Sequence, residues 1–131
     1  MRRETRCLEL EYTRGIFYFG VKDGANLDVA DLEEYVGIAE EMLGDDVPVP
    51  ILTRLGRIKS STPGARRIVV EPRYARLCLR TAILVQNPVA RVIGSVFLGL
   101  SNLPYETKLF SDESLALDWL REAQAPAHSE A

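Results

Sequence analysis

Apolar and polar residues alternate along the first part of the chain. Leu8, Leu10 and Tyr12 are separated by glutamates, a period of two that is typical of a strand with one buried face. The next segment, Ile16–Val21, is rich in aromatic and β-branched residues, which also favour a strand. Because only a short turn around Gly15 separates the two segments, we expect them to form an antiparallel hairpin.

Farther along, the apolar positions recur at the three- and four-residue steps of helices, between short apolar runs typical of strands. Asp28, Thr62 and Asn87 stand where their side chains can cap the starts of three helices. The uninterrupted apolar run at 81–85 predicts a central strand that is covered on both faces. The elements predicted after the hairpin are helix one (29–43), strand three (49–55), helix two (63–70), strand four (81–85), helix three (88–100), strand five (106–110) and helix four (from 112).

This order of elements predicts a single α/β domain. A hairpin followed by alternating helices and strands implies a five-stranded mixed sheet with about four helices. The chain has 131 residues, of which 47% are hydrophobic and 27% charged, and this composition suits one globular domain. We place the domain at 1–123 and expect the small and polar residues 124–131 to form a disordered tail.

The sequence also bears on the compartment. No apolar run approaches the roughly 18 residues of a membrane helix, and no signal-type apolar stretch follows the N-terminus. We therefore expect a cytoplasmic protein without membrane insertion. Cys7 and Cys78 lie far apart and lack metal-type spacing, so we expect them to be reduced, structural thiols.

The residue types from which catalytic centres are built are sparse. His128 is the only histidine and lies in the predicted tail, so neither a serine–histidine nor a cysteine–histidine pair is expected. The sequence has no Cys/His cluster typical of a metal site and no glycine-rich loop typical of a phosphate site. We expect no enzyme, no catalytic residue, no metal and no cofactor.

Basic residues are concentrated in one segment, 54–80, which contains eight of the 16 basic residues but only one of the 19 acidic residues. The segment surrounds the start of helix two, where free backbone amides and the helix dipole favour an anion. Alternatively, the arginines are solvated or pair with the acidic face of helix one. The net charge of −3 does not favour nucleic acid as a partner. The candidate residues of an anion or phosphorylation site are Ser60, Ser61, Thr62, Arg66 and Arg67.

Predicted helix three is more apolar than a helix that packs only on a sheet. Its apolar side chains span an arc of about 160°, whereas packing on a sheet needs about 100°. The exposed part of the arc predicts an interface with another chain or the wall of an apolar pocket, and Gly94 would let a neighbour approach closely. Alternatively, helix four and the loop 101–105 bury this surface. The candidate residues are Ile93, Val96, Phe97, Leu98 and Leu100.

Three segments carry a resemblance to a known family. They are the hairpin, the turn at 58–66, and a C-terminal pattern formed by Phe110, Asp112, Ala116, Trp119 and Leu120. Over about residues 7–122 the chain resembles the STAS domain (sulfate transporter and anti-sigma factor antagonist), especially the compact, stand-alone SpoIIAA-like bacterial proteins. The resemblance implies the SpoIIAA-like fold and a regulatory role exercised through protein binding.

The resemblance also implies a modification site. In anti-sigma factor antagonists of this family, the turn after strand three holds a serine that a partner kinase phosphorylates, and Ser60 or Ser61 corresponds to it by position. Here Lys59 stands where the family has an acidic residue, and Thr62 and Pro63 follow where a glycine is expected. A hydroxyl that caps helix two accounts for the same serines without a kinase.

Two functions remain open from the sequence. The first is a non-catalytic, regulatory protein-interaction module that self-associates into a homo-oligomer and binds a protein partner through the basic region 58–80. The second is a small-molecule carrier or sensor, in which helix three, Phe17 and Phe19 line a pocket for a lipid-like or anionic ligand. A cavity between helix three and the sheet would favour the carrier, whereas filled packing would favour the interaction module.

Overall fold

The computed structural model describes residues 1–99 and 103–129, with side chains through Gln124. Within these residues the chain forms eight strands and five α-helices. The strands are β1 (Arg2–Glu4), β2 (Leu8–Thr13), β3 (Ile16–Val21), β4 (Asn26–Leu27), β5 (Val49–Arg54), β6 (Ser60–Ser61), β7 (Cys78–Leu84) and β8 (Glu106–Phe110). The helices are α1 (Val29–Leu43), α2 (Pro63–Ile68), α3 (Pro72–Ala75), α4 (Pro88–Leu98) and α5 (Glu113–Ser129), and a 3₁₀ turn covers Gly44–Asp46.

The main sheet is mixed, as the sequence predicts, with the strand order β1-β2-β3-β5-β7-β8. The first three strands are antiparallel neighbours, and the pairs β3–β5, β5–β7 and β7–β8 are parallel. A second, small sheet consists of β4 and β6 in parallel. The prediction of an α/β fold is therefore confirmed.

The strand count of the sheet differs from the prediction. Six strands rather than five form the main sheet in the part of the chain that the structure describes, because Arg2–Glu4 pairs with β2. In this pairing Arg3 lies opposite Leu10. All three residues of β1 are charged and exposed, so the strand has no apolar alternation from which it could be recognised.

The predicted hairpin is confirmed as β2 and β3. Leu10 lies opposite Phe19 in its register, and both side chains are buried. Arg14 and Gly15 form the connecting turn, with φ angles of 54° and 77°. A two-residue type I′ turn requires positive φ at both positions, and glycine adopts that region without steric cost.

Helices cover both faces of the main sheet. On one face, α1, α2, α3 and α4 pack on side chains such as Phe17, Ile51 and Ile83, and this is the larger core. On the other face, α5 packs alone. The buried residues of this second core are Ile16, Leu52, Ala82, Leu84, Ala116 and Leu120.

Strand β7 contains the apolar run that the sequence places at the middle of the sheet. Ile83 faces the larger core and Ala82 faces α5, so the strand is covered on both faces. Its position is nevertheless fifth of the six strands in the main sheet of the described residues, between β5 and the edge strand β8. An apolar run indicates that both faces of a strand are buried. This is also true of an interior strand next to the edge, so the run does not fix the strand's position in the sheet.

The predicted helix starts are confirmed by their caps. Asp28 caps α1 and forms a reciprocal capping box with Asp31. Thr62 caps α2 and Asn87 caps α4, in each case by accepting a bond from a backbone amide three residues later. The last helix, α5, continues to Ser129, although the sequence predicts a tail from residue 124. The domain boundary at 123 stays a prediction.

Candidate functional site

A groove runs between α4 and the turn that leads into α2. It has a volume of about 510 Å³, and one wall is apolar while the other is polar and basic. We call it the α2–α4 groove. Its lining residues are Lys59, Ser60, Ser61, Arg66, Pro88, Val89, Val92, Ile93 and Val96. Two surfaces that the sequence predicts separately, the serine–arginine site and the apolar helix, are thus walls of one feature.

Three valines of α4 form an exposed stripe on the apolar wall. Val89, Val92 and Val96 have 49%, 65% and 42% of their surface exposed. Their spacing of three and four residues places them along one side of the helix. Val92 is the most exposed of the three. The sequence places it in the apolar arc of predicted helix three, but it is not among the candidate interface residues.

The turn on the other wall is held in place by hydrogen bonds. Ser60 and Ser61 form β6, and the Ser60 hydroxyl donates to Asn26 Oδ1. Thr62 has a structural role instead, because its Oγ1 accepts a bond from the α2 backbone and donates to Asp28 Oδ1 at 3.0 Å. Thr62 does not line the groove.

The two arginines of the predicted anion site have different surroundings. Arg66 Nη1 donates to the backbone oxygen of Ser61 at 2.8 Å and contacts its Oγ at 3.2 Å. Both acceptors are neutral, so the positive charge of Arg66 is held at the groove without being neutralised. Arg67 is exposed and does not line the groove.

The basic segment 54–80 is not one surface in the folded chain. Arg54 forms a bidentate pair with Glu113 at 2.6 and 2.8 Å, on the α5 face of the sheet. Arg80 lies on the same face, with its guanidinium 4.3 Å from the centre of the Trp119 ring. The basic region 58–80 is therefore divided between two faces, because Arg80 lies on the α5 face whereas Lys59 and Arg66 line the groove on the other face of the sheet. Partner binding through this region stays a prediction.

One further arginine of the segment is paired elsewhere. Arg73 donates to both carboxylate oxygens of Glu40 on α1, at 2.6 and 3.0 Å. This is the pairing with the acidic helix that the sequence leaves open as an alternative. The Arg73 guanidinium lowers the pKa of the Glu40 carboxyl, as the Arg54 guanidinium lowers that of Glu113.

The candidate residues on α4 divide between the groove and the interior. Ile93 and Val96 line the groove, whereas Phe97 is half-buried and lines a cavity inside the larger core. Leu98 is exposed but lines neither, and Leu100 lies outside the described residues. Leu103 and Tyr105, which follow α4, line the same cavity as Phe97, while α5 lies on the opposite face of the sheet.

The interior cavity lies between α4 and the sheet but is small, with a volume of about 40 Å³. A water molecule occupies about 30 Å³ in the liquid, so this space is far smaller than a lipid chain needs. Its lining includes three threonines, Thr53, Thr81 and Thr107. Thr81 Oγ1 is buried without a hydrogen-bond partner. The nearby Cys78 thiol donates to the Tyr74 backbone oxygen, and burial raises the pKa of that thiol to about 12.

A second surface depression, of about 910 Å³, adjoins the α2–α4 groove. It lies where β3, β5 and β7 end, and it shares Lys59, Pro88 and Val89 with the groove. Arg57 adds a further exposed cation to its lining. The carboxyl ends of parallel strands are a common location for binding sites in open α/β sheets.

None of the α-helices in 1–99 and 103–129 combines the length and the hydropathy needed to cross a membrane. In the same residues, no group of three or more histidine, cysteine or acidic side chains is arranged to hold a metal ion.

Comparison with known proteins identifies the family. The model of a family described as a domain of unknown function, DUF7793, matches residues 10–124. The chain belongs to this family. No curated protein matches the DUF7793 chain in sequence. Solved structures, however, share its fold.

One is an uncharacterized protein of the DUF3478 family with a SpoIIAA-like fold from Shewanella loihica PV-4, with 23% identity and a TM-score of 0.58 over 86% of this chain and 91% of that chain. Another is the anti-sigma factor antagonist SpoIIAA in its unphosphorylated form, with 19% identity and a TM-score of 0.56 over 87% and 97%. A third is the Bacillus cell fate determinant SpoIIAA in the phosphorylated form, with 20% identity and a TM-score of 0.53 over 85% and 96%. The SpoIIAA-like fold that the sequence resemblance predicts for the DUF7793 chain is confirmed.

Proposed function

We propose that this DUF7793 chain is a non-catalytic, regulatory protein-interaction module that binds a protein partner through the α2–α4 groove. The observation that carries the proposal is the exposed stripe of Val89, Val92 and Val96 along one wall. Isolated exposed apolar residues are common, but a continuous stripe beside a groove is typical of a contact surface.

The fold supports the regulatory part of the proposal. One of the proteins that share it is an anti-sigma factor antagonist, and structures of SpoIIAA have both phosphorylated and unphosphorylated forms. By analogy of fold, the groove of this chain would contact a regulatory partner.

The small interior cavity supports an interaction module over a lipid carrier. A carrier needs a pocket of several hundred Å³ that encloses most of its ligand. The cavity between α4 and the sheet has about 40 Å³. The larger spaces lie on the surface, where they are open to a macromolecule.

The proposal assigns the modifiable hydroxyl of the turn to Ser60. Ser60 is exposed, whereas Ser61 is half-buried and its Oγ contacts Arg66. A phosphate on Ser60 would lie beside Lys59 and Arg66, where cations stabilise its charge. The intact mass of the protein isolated from its native host tests this assignment. We expect the mass to include one added phosphoryl group, which is absent from Ser60→Ala and present in Ser61→Ala.

Self-association is the alternative use of the same groove, in which the valine stripe would be the contact between two copies in place of a different protein partner. Sedimentation of the Val92→Asp variant tests it, because this exposed position can be changed without affecting the core. A shift from a larger to a smaller species supports the contact, and an unchanged mass contradicts it.

Site-specific photo-crosslinking in the native host tests partner binding. A photoreactive residue replaces Val92 in the groove or, as a matched control, Leu115 on the opposite face, which is 58% exposed. We expect a discrete adduct above the mass of the single chain from position 92 and none from position 115. Absence of an adduct at 92, or identical adducts at both positions, would contradict the proposal.

A further inference from the structure

The cations of the basic segment fall into two groups with different chemistry. Arg54, Arg73 and Arg80 each contact a carboxylate within 3 Å, so their charge is matched inside the chain. Among the described side chains, the other five cations of the segment form no ion pair: Arg57, Lys59, Arg66, Arg67 and Arg76. Two of these five, Lys59 and Arg66, line the α2–α4 groove. The folded chain therefore presents unmatched positive charge at the groove.

The apolar wall has the dimensions of a helix-binding surface. Val89 and Val96 are seven residues apart on α4, which corresponds to about 10 Å or two helical turns. Anchors at such intervals fit the apolar side of a second helix that lies along the groove. One wall of the groove thus offers a valine stripe, and the facing wall offers cations.

We infer that the occupant of the groove is an amphipathic helix of a partner protein whose apolar stripe is flanked by acidic residues. This inference rests on the proposed function and adds the chemistry of the partner. The apolar stripe would pack against the valines, while the acidic flank would face Lys59 and Arg66. Complementary charge favours such a helix over a basic one and raises the association rate.

Charge also explains why a second copy of the chain fits this groove less well than an acidic partner. A twofold-symmetric interface brings the same patch of two molecules together. The only charged residue of α4 is Arg91, and the groove adds Lys59 and Arg66. A symmetric pair through this patch would therefore place cations against cations, which opposes association.

Two designed peptides test the inference. Both form a helix of about four turns with leucines at positions i, i+3 and i+7, and they differ only in carrying glutamate or lysine beside the leucines. Binding is measured by fluorescence anisotropy of the labelled peptides with the full chain. We expect the glutamate peptide to bind at least about tenfold more tightly than the lysine peptide, with an affinity that falls as salt rises.

Variants of the chain locate the binding. Val92→Asp is expected to weaken binding of the glutamate peptide by about tenfold or more, because it places a charge in the apolar contact. The double variant Lys59→Glu/Arg66→Glu is expected to reverse the preference between the peptides. Lys59→Glu alone leaves the Arg66–Ser61 hydrogen bonds in place and is expected to reduce the preference for the glutamate peptide. As a control of equal charge, Arg76→Glu/Arg121→Glu alters exposed cations outside the groove and should leave the preference unchanged.

Several outcomes would overturn the inference. One is that the glutamate peptide does not bind at millimolar concentration. The others are that both peptides bind equally, or that the control double variant changes the preference between the peptides as much as the groove double variant does. Binding to phosphatidylglycerol–phosphatidylcholine vesicles that depends on Val92, without peptide binding, would assign the groove to an anionic membrane surface. A Val92-dependent dimer that excludes the peptide would assign it to a second copy. An adduct at position 92 in the crosslinking experiment, combined with failure of the peptide test, would leave the proposed function standing and reject only the acidic helix.

Discussion

Gly94 on α4 lies against Val85, immediately after β7, so closely that a Cβ atom at Gly94 would be 2.8 Å from Val85 Cγ1. The same Cβ would be 3.2 Å from Leu109 Cδ2 on β8. The neighbour that approaches α4 at this glycine is therefore the chain's own sheet, not another molecule. This contact sets how deeply α4 sits on the sheet and leaves the valine stripe on the opposite side of the helix exposed.

We predict that Gly94→Ala lowers the free energy of unfolding by about 1–3 kcal/mol, because the added methyl group overpacks the contact with the sheet. Gly37→Ala is the matched control, since Gly37 lies inside α1 and a Cβ there meets no atom within 4 Å. That control should be neutral or stabilising by up to about 1 kcal/mol. Urea denaturation measures both, and a Gly94→Ala variant as stable as the wild type would show that α4 does not depend on this close approach.

Two threonine-to-valine substitutions should act in opposite directions. Thr81 Oγ1 is buried without a hydrogen-bond partner, so Thr81→Val is expected to be neutral or to stabilise the protein by up to about 1 kcal/mol. Thr62 caps α2 and bonds to Asp28, so Thr62→Val should cost about 1–2 kcal/mol. Thermal and urea unfolding measure the difference. A clear loss of stability in Thr81→Val would mean that its hydroxyl is hydrogen-bonded in solution.

Aspartate substitutions on α4 should separate its two sides. Phe97→Asp places a charge in the interior cavity and is expected to lower the free energy of unfolding by about 2–4 kcal/mol. Val92→Asp alters an exposed side chain and should change it by less than about 1 kcal/mol. Phe97 is therefore unsuitable as a probe of an interface. Equal losses in the two variants would contradict the assignment of Val92 to the surface.

The pair between Arg54 and Glu113 predicts a pH-dependent contribution to stability. The Arg54 guanidinium holds the pKa of Glu113 below its ordinary value of 4.5. Because the folded-state pKa is the lower one, the contribution is complete above the ordinary value and is lost as the pH falls through the folded-state pKa. The pair is partly exposed to solvent, which limits its contribution to about 1 kcal/mol or less.

The measurement is the difference in free energy of unfolding between the wild type and Glu113→Gln, at pH 7 and at pH 3. We expect a difference at pH 7 that shrinks toward zero at pH 3. Glu122→Gln on the same helix serves as the control, because Glu122 forms no ion pair among the described side chains. A difference in free energy of unfolding that grows toward low pH would contradict the lowered pKa of Glu113 in the folded state.

The local features of the fold were predictable from the sequence. The caps Asp28, Thr62 and Asn87 mark the starts of α1, α2 and α4 because a capping side chain bonds to amides within three residues along the chain. The hairpin is equally local, since its alternating residues and two-residue turn are contiguous. The family resemblance added the SpoIIAA-like architecture, which the structural comparisons confirm.

Other features depended on contacts between distant parts of the chain. The charged residues of β1 became a strand only through pairing with β2, and β7 took its place near the sheet edge through pairing with β8. The ion pairs also join distant residues, since Arg73 and Glu40 are 33 residues apart and Arg54 and Glu113 are 59 residues apart. Composition counts the charges of a segment but does not say which of them are neutralised.

The sequence by itself determined where α1, α2 and α4 begin, which strands form the hairpin and that α4 carries more apolar surface than a sheet can cover. Only the tertiary structure decided that Lys59 and Arg66 face the valines of α4 across one groove. Helix starts and hairpins arise from bonds between near neighbours in the chain, so the residue types that form them can be recognised in the sequence. A groove forms where strand order and helix packing bring together segments some 30 residues apart in the chain. No local sequence pattern indicates that two such segments will be neighbours.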